Sequence, residues 1–419
     1  MEVVWSWWPP CQQNEVEQHR CGSAPTTLSD SRYRHVFQQH VTMSGGDGSV
    51  ATMIRTLAFE KYRSLADVTV DLHPLTVVTG ANGSGKSTLY RGMRLMTDII
   101  RDGALTSLAW EGGMRNALHA GRRRTGPVAL RLGVAVDELN YAIELGLPQL
   151  SPFPLDPEVK VETLWHGTHP RPSTILAQRR NQAVSLRSDT GSLDVSGWRP
   201  RIEESMIATL TDPTVSPELY ALREQARSWQ FYDALRVDLH APARQPSPAT
   251  FSPCLTPDGG NFAAALATVL RVGDTEALHT AVSRAFPQAT VTVEEDDRGY
   301  AYLRWSTGLT RALDASEISD GTLRFLMLAV ILLSPRPPKF LVLNEPEGSI
   351  HPSLLPAIAD LILVGSRSTQ ILVVSHATAL VDALGDDAHH IHLSHNGHDT
   401  HIEGQDRFSG TSWVWPTRA

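Results

Sequence analysis

No run in this 419-residue chain reaches the ~18 consecutive apolar residues that a membrane-spanning helix requires; the longest candidate, Phe325 to Leu333, is too short. The chain is therefore not expected to cross a membrane by itself. The first residues hold Trp5, Trp7, Trp8, Pro9 and Pro10 but no basic segment followed by an apolar one, so no cleaved secretory signal is expected. Cysteine is scarce. Cys11, Cys21 and Cys254 are too few and too scattered for a disulfide framework, and no four-ligand zinc spacing surrounds them. A reducing, cytoplasmic setting is the expectation. Positive charge is also in deficit: 37 Lys and Arg against 45 Asp and Glu leave a formal net charge of −8. That excludes a surface built throughout for nucleic acid and leaves room only for a local basic patch.

What is present divides into four stretches. Residues 1–52 show no sustained period of 2 or 3.6 and run into Ser44-Gly45-Gly46-Asp47-Gly48, the signature of a flexible tail. Met43 and Met53 are both possible starts of the natural product. From Ile54 the pattern is strand-like, and Leu75-Thr76-Val77-Val78-Thr79 ends directly in a glycine-rich loop. Leu89, Met93, Met96 and Ile100 then follow at spacings of 4, 3 and 4, one face of a helix. Residues 128–147 alternate as an antiparallel pair, completing a first folded stretch over 53–147. Residues 148–310 read as an inserted lobe with connecting helices. A helix is expected from Ser216-Pro217 towards Tyr232, helices over Asn261–Leu270 and Thr275–Ala285, and a strand pair at Ala289–Val293 and Tyr300–Trp305. Residues 311–419 alternate helix (Thr322–Leu333), strand (Phe340–Leu343), helix (Pro352–Val364) and strand (Gln370–Val374), the signature of a helix-covered parallel sheet.

The loop Gly80-Ala81-Asn82-Gly83-Ser84-Gly85-Lys86-Ser87-Thr88 satisfies the Walker A pattern in full. Glycines let successive N–H groups turn inward around phosphates, and the helix N-terminus adds positive dipole. Lys86 then reaches the β- and γ-phosphates of ATP, and the Ser87 hydroxyl binds Mg²⁺. A chance glycine-rich turn is the bland alternative, and the flanking strand and helix argue against it. Four later landmarks narrow the class. Ile318-Ser319-Asp320-Gly321-Thr322 opens a helix, with Ser319 and the Gly321 backbone free to face a phosphate. Phe340-Leu341-Val342-Leu343-Asn344-Glu345-Pro346-Glu347 has the Walker B form, in which Asn344 helps hold Mg²⁺ and Glu345 polarises the attacking water. Gly348-Ser349-Ile350-His351-Pro352 is a turn beyond it, and Val373-Val374-Ser375-His376 sets a histidine just past the last core strand.

This order resembles an ABC-type P-loop ATPase: Ser319 to Thr322 is similar to the signature motif, Gly348 to His351 to the D-loop, and His376 to the switch histidine. The wording is closer still to the SMC/RecF/OLD-like branch, with its Ser-Asp-Gly-Thr-Leu-Arg-Phe signature and its Glu-Pro-Glu after Walker B. The resemblance covers about Met53 to Ala419. It implies an α/β fold with an ABC-type core sheet, an antiparallel β subdomain and an inserted lobe. It also implies a head-to-tail homodimer formed on ATP binding, in which Ser319 and Gly321 of one copy close on the γ-phosphate held by the other. Work in DNA repair, chromosome maintenance or defence follows, with DNA or a DNA-processing protein as partner. Arg63, in Phe59-Glu60-Lys61-Tyr62-Arg63-Ser64, matches a position near the nucleotide in this branch; a surface arginine on a strand is the other reading.

Three departures stand out. Asn344 replaces the usual Walker B aspartate, keeping an oxygen acceptor but losing charge, so slow hydrolysis is expected. No glutamine loop follows the first helix; Trp110-Glu111-Gly112-Gly113-Met114 stands there instead. Asp320 occupies a position where transporters usually carry glycine. A transporter subunit and a non-hydrolysing ATP-dependent switch are the alternatives. Arg115, Arg122, Arg123 and Arg124, with Arg179 and Arg180, form either a phosphate-backbone groove or a solvated basic loop. Six histidines between His389 and His401 bracket Asn396-Gly397 and read as a surface hairpin more simply than as a metal site.

Overall fold

Residues 53–121, 128–149, 151–405 and 413–417 are described by the computed structural model. The expected tail over 1–52, and Arg122, Arg123 and Arg124 of the basic run, lie outside the described residues.

The β-branched and aromatic run at the start forms β1 (Ile54–Tyr62), β2 (Leu65–Asp71) and β3 (Leu75–Gly80). Helix α1 (Lys86–Asp102) follows and buries Leu89, Met93, Met96 and Ile100, the face its spacing foretold. Gly92 lets this helix lie close on β1, where an added Cβ would come 2.8 Å from the Phe59 ring. Short helices α2 (Ala104–Trp110) and α3 (Met114–Ala117) lead to β4 (Ala129–Val136) and β5 (Leu139–Gly146).

The segment expected to be an inserted lobe does not stand apart. Its first part forms β6 (Glu158–His166), β7 (Ile175–Arg180), β8 (Ala183–Arg187) and β9 (Leu193–Val195). These extend one eight-stranded antiparallel sheet in the order β2-β1-β4-β5-β6-β7-β8-β9. Its prolines and serines sit in the turns between short strands, which blurred the period of the strands themselves. After α4 (Met206–Thr209), helix α5 (Pro217–Arg227) stops short of Tyr232, because β10 (Gln230–Tyr232) pairs in parallel with Leu341–Leu343. Then come β11 (Ser247–Pro248), α6 (Phe262–Val272), α7 (Thr275–Ala285), β12 (Thr290–Glu295), β13 (Tyr300–Ser306) and β14 (Leu313–Asp314).

The C-terminal part alternates as expected: α8 (Asp320–Leu332), β15 (Phe340–Asn344), α9 (Leu355–Gly365), β16 (Gln370–Val374), α10 (Thr378–Leu384), then β17 (His389–His395) and β18 (Thr400–Ile402). They build a six-stranded sheet ordered β10-β15-β16-β3-β17-β18, parallel except for the last strand. Both faces of the central strands β15, β16 and β3 are buried, which is why they are largely apolar, whereas β17 towards the edge exposes most of its histidines. Val78, Val342 and Val374 enter the core shared with α1 and the antiparallel sheet, while Val77, Leu343 and Val373 enter the core beneath α6 to α10. Alternate residues thus tie the two halves of the chain to a single sheet. Helix α8 is buried from Leu323 to Leu332, as a helix apolar all round must be.

Candidate nucleotide site

A parallel sheet gathers its loops at the carboxyl ends of its strands, and the Walker motifs meet there. Strand β3 ends at Gly80, the loop turns through Gly83 (φ 81°) and Gly85 (φ 107°), and α1 starts at Lys86. Asn82, Gly83 and Ser87 are exposed, Thr88 is half-buried, and Ser84 is buried with its hydroxyl unpartnered. Lys86 is more enclosed than a simple surface charge: its Nζ donates to the carbonyls of Gly80 (2.6 Å) and Ala81 (3.0 Å). The C-terminal hairpin backs this loop. Leu393 carbonyl fills the space beside Gly80, and a Cβ on Gly85 would come 2.9 Å from the Cβ of Thr400 and closer still to its hydroxyl and methyl. Thr400 is bolted to the β1–β2 turn, its hydroxyl donating to Ser64 Oγ at 2.9 Å. The histidine-rich segment is therefore only partly a surface hairpin: it lines the sheet beside β3, and His392 Nδ1 lies 2.9 Å from Thr79 Oγ1.

Two strands away, β15 ends at Asn344, whose Nδ2 donates to Asp233 Oδ1 at 2.7 Å. Asp233 follows β10 directly, and burial first, then the charge of Asp233, push the Tyr90 hydroxyl on α1 upward. Glu345 sits in the left-handed region at φ 48°, where a glutamate is strained, and its carboxylate is exposed. Glu347 points inward instead: Oε1 accepts from Ser375 Oγ (2.8 Å) and the backbone N–H of His376 (2.9 Å), and Oε2 is buried without a partner. His376 Nδ1 stands 3.2 Å from Glu347 and 3.9 Å from Glu345. Beneath the turn, the buried Arg324 of α8 donates to the carbonyls of Glu345 (2.8 Å), Leu235 (3.2 Å) and Pro346 (3.3 Å). Burial holds its guanidinium below its ordinary value, partly offset by Glu347 and Glu345.

The signature segment is placed differently. Ser319 caps α8 by accepting from Thr322 N–H at 3.1 Å, so its hydroxyl is engaged and not free. Gly321 is tight against the turn after Walker B, where a Cβ would meet Ser349 carbonyl at 2.9 Å. Asp320 is held by the buried Arg244 at 2.6 Å. Among the described residues, no hydrogen bond joins Ser319–Thr322 to the phosphate loop of the same chain. Arg63, at φ 45° in the β1–β2 turn, is paired with Glu111, which also accepts from Tyr62 at 3.1 Å. The Trp110–Met114 stretch thus anchors Arg63. Arg179 of the basic run is fully buried and donates to Asn181, Arg201 and Glu204 carbonyls, so it cannot line a phosphate groove.

Asp233, Arg324, Arg244 and Thr400 were not singled out from sequence. Asp233 follows a strand of only three residues, and the bonds of Arg324 to Glu345, Arg244 to Asp320 and Thr400 to Ser64 each join residues at least 21 positions apart. The residues present fit ATP with Mg²⁺. Glycines stand where side chains would clash, an ammonium and an orphaned Ser84 hydroxyl face the loop, and oxygen donors end the neighbouring strands.

Sheet order, phosphate loop and Walker B turn together define a P-loop ATPase of the ABC/SMC type. Residues 75–382 match the family described as "AAA domain, putative AbiEii toxin, Type IV TA system", and the chain belongs to that family. Over 98 residues, 23% of this chain, it is 31% identical to a Mycoplasma genitalium protein named as a "putative ABC transporter ATP-binding protein". The chain spans 26% of that relative's length. Among solved structures it is similar to an SMC head bound to the C-winged helix domain of ScpA (TM-score 0.46, 13% identity, 83% of this chain and 96% of that one). The SMC head domain from Thermotoga maritima gives a TM-score of 0.40 at 14% identity, covering 83% of this chain and 97% of that one.

Proposed function

We propose that this chain hydrolyses ATP with Mg²⁺, and that it does so as a homodimer in which each copy completes the other's site. The observation that carries the reading is the common edge of the parallel sheet. The phosphate loop leaves β3, Ser375–His376 leaves the adjacent β16, and Asn344–Glu347 leaves β15 next to that. In this reading the turned amides of Gly80 to Thr88, including Asn82, hold the phosphates. Lys86 exchanges its two loop carbonyls for phosphate oxygens. Ser87 and Asn344 are the residues that would hold Mg²⁺, which when bound neutralises charge on the transferring phosphoryl group. Glu345 orients water and takes its proton as the water oxygen attacks the γ-phosphorus and the bond to the ADP oxygen breaks. His376, hydrogen-bonded through its backbone to Glu347, is held within reach of Glu345. Ser319 is exposed at a helix start that makes no bond to its own phosphate loop, the arrangement in which it and the Gly321 backbone would meet the nucleotide of a second copy, and Arg63, held by Glu111 in the β1–β2 turn, is the residue the family resemblance puts near the nucleotide.

Work on DNA, in repair, chromosome maintenance or defence, is part of the proposal through the family resemblance. The family's own description, which names a toxin–antitoxin system, favours defence among the three. Among the described residues no helix is long and apolar enough to cross a membrane. A non-hydrolysing switch is the second reading, favoured by Asn344. Phosphate release by the full chain and by Lys86→Ala, with and without single- and double-stranded DNA, tests these points together with light scattering in ATP. ATP binding without phosphate release above Lys86→Ala would leave the switch. A Ser319→Arg chain that still dimerises in ATP would refute the shared site.

A further inference from the structure

The apparent defect of this site is Asn344, which offers a metal ion an oxygen but no charge. The structure supplies that charge from another strand. β10 and β15 run parallel with Tyr232 opposite Leu343, so Asp233 and Asn344 are level at the carboxyl edge of the sheet. Asn344 Nδ2 donates to Asp233 Oδ1 at 2.7 Å. This bond commits the donor end of the amide to Asp233 and turns the amide oxygen away from it. Strand β10 also packs on α1, the helix that begins with Lys86 and Ser87: the rings of Phe231 and Tyr90 meet edge to face with centroids 5.9 Å apart. Asp233 is the residue directly after this strand, and its charge acts on the hydroxyl of Tyr90, which places it on the α1 side of the sheet edge.

We propose that Asp233 is the carboxylate of the Mg²⁺ site, acting as a positioning residue: Asn344 gives the oxygen ligand, and Asp233 fixes its orientation and provides the negative charge that one Walker B aspartate would otherwise supply. This rests on the reading of the site as an ATP·Mg²⁺ site. A partner hydrogen-bonded to a metal ligand sets both the ligand's orientation and the local field, and losing it typically weakens metal binding about 10–100-fold. A buried structural bond would have no reason to respond to metal, whereas this pair is exposed or half-exposed at the mouth of the site.

The test is a Mg²⁺ titration of fluorescent ATP analogue binding to the full chain, read by anisotropy, starting from chelator. Asp233→Asn should raise the half-saturating Mg²⁺ concentration about 10–100-fold. The exchanged pair, Asp233→Asn with Asn344→Asp, keeps one carboxylate and one amide in reversed order and should return to within about threefold of the parent. A parental titration for Asp233→Asn would overturn the proposal. So would an exchanged pair that melts like the parent yet titrates no better than the single variant. Failure of the parent itself to bind the analogue, with Lys86→Ala indistinguishable from it, would remove the ATPase reading and this inference with it. Parental Mg²⁺ dependence that Lys86→Ala abolishes and Asp233→Asn leaves alone would remove only this inference.

Discussion

Arg324→Met replaces a buried guanidinium with a side chain of similar reach and no donors, and the structure gives the loss. The 2.8 Å bond from a charged donor to Glu345 carbonyl is worth about 1.5–3 kcal/mol, and the two longer bonds to Leu235 and Pro346 add about 1 kcal/mol together. Retained apolar packing offsets part of this, so a destabilisation of about 2–4 kcal/mol is expected. In a folded unit of this size, whose unfolding entropy grows with its length, that lowers the melting temperature by about 3–5 °C. The functional effect has a separate origin. Glu345 is held at φ 48°, a strain on the order of 1–3 kcal/mol, and Arg324 grips the carbonyl on that residue. Released, Glu345 relaxes towards ordinary backbone, and the fraction of chains with a correctly placed carboxylate falls about 10- to 100-fold. ATP affinity should hold, because Arg324 makes no hydrogen bond to Gly80–Thr88. Calorimetry and steady-state phosphate release measure the two effects side by side. A variant that melts within about 1 °C of the parent and turns over at its rate would refute the clamp.

Glu345 and Glu347 should fail differently: Glu345→Gln removes an exposed carboxylate, so phosphate release should fall about 10²–10⁴-fold with no change in melting. ATP should then accumulate in a long-lived dimer, visible by light scattering; parental turnover would point away from Glu345 as the base. Glu347→Gln disturbs a buried acceptor of three N–H or O–H groups, at 2.8, 2.9 and 3.3 Å, and should cost about 1–3 kcal/mol in a melt, with His376 displaced. Gly85→Ala meets both φ 107° and the Thr400 side chain, so it should weaken ATP binding and lower the melting temperature together. Adding Thr400→Ala should recover part of the stability; a purely additive pair would mean that Thr400 does not press on the loop.

The alternation of helix and strand after residue 311, the glycine loop between β3 and α1, and the buried face of α1 were legible because each is a local pattern. A strand that ends in a phosphate loop and a helix with apolar residues at 3 and 4 need no knowledge of the rest of the chain. The family resemblance rested on such patterns as well. β6 to β9 were hidden because pairing, not periodicity, makes short strands between proline-rich turns, and the same holds for β10, whose three residues read as the tail of a helix. Asn344 illustrates the difference most directly. Sequence names it as a ligand that has lost its charge, since it shows only the side chain at that position. The carboxylate beside it stands 111 residues earlier in the chain, and only the parallel pairing of β10 with β15 brings the two within a hydrogen bond. Local chemistry is written in the order of residues, whereas the field at a site is summed over everything folding places near it, and that sum belongs to the tertiary structure alone.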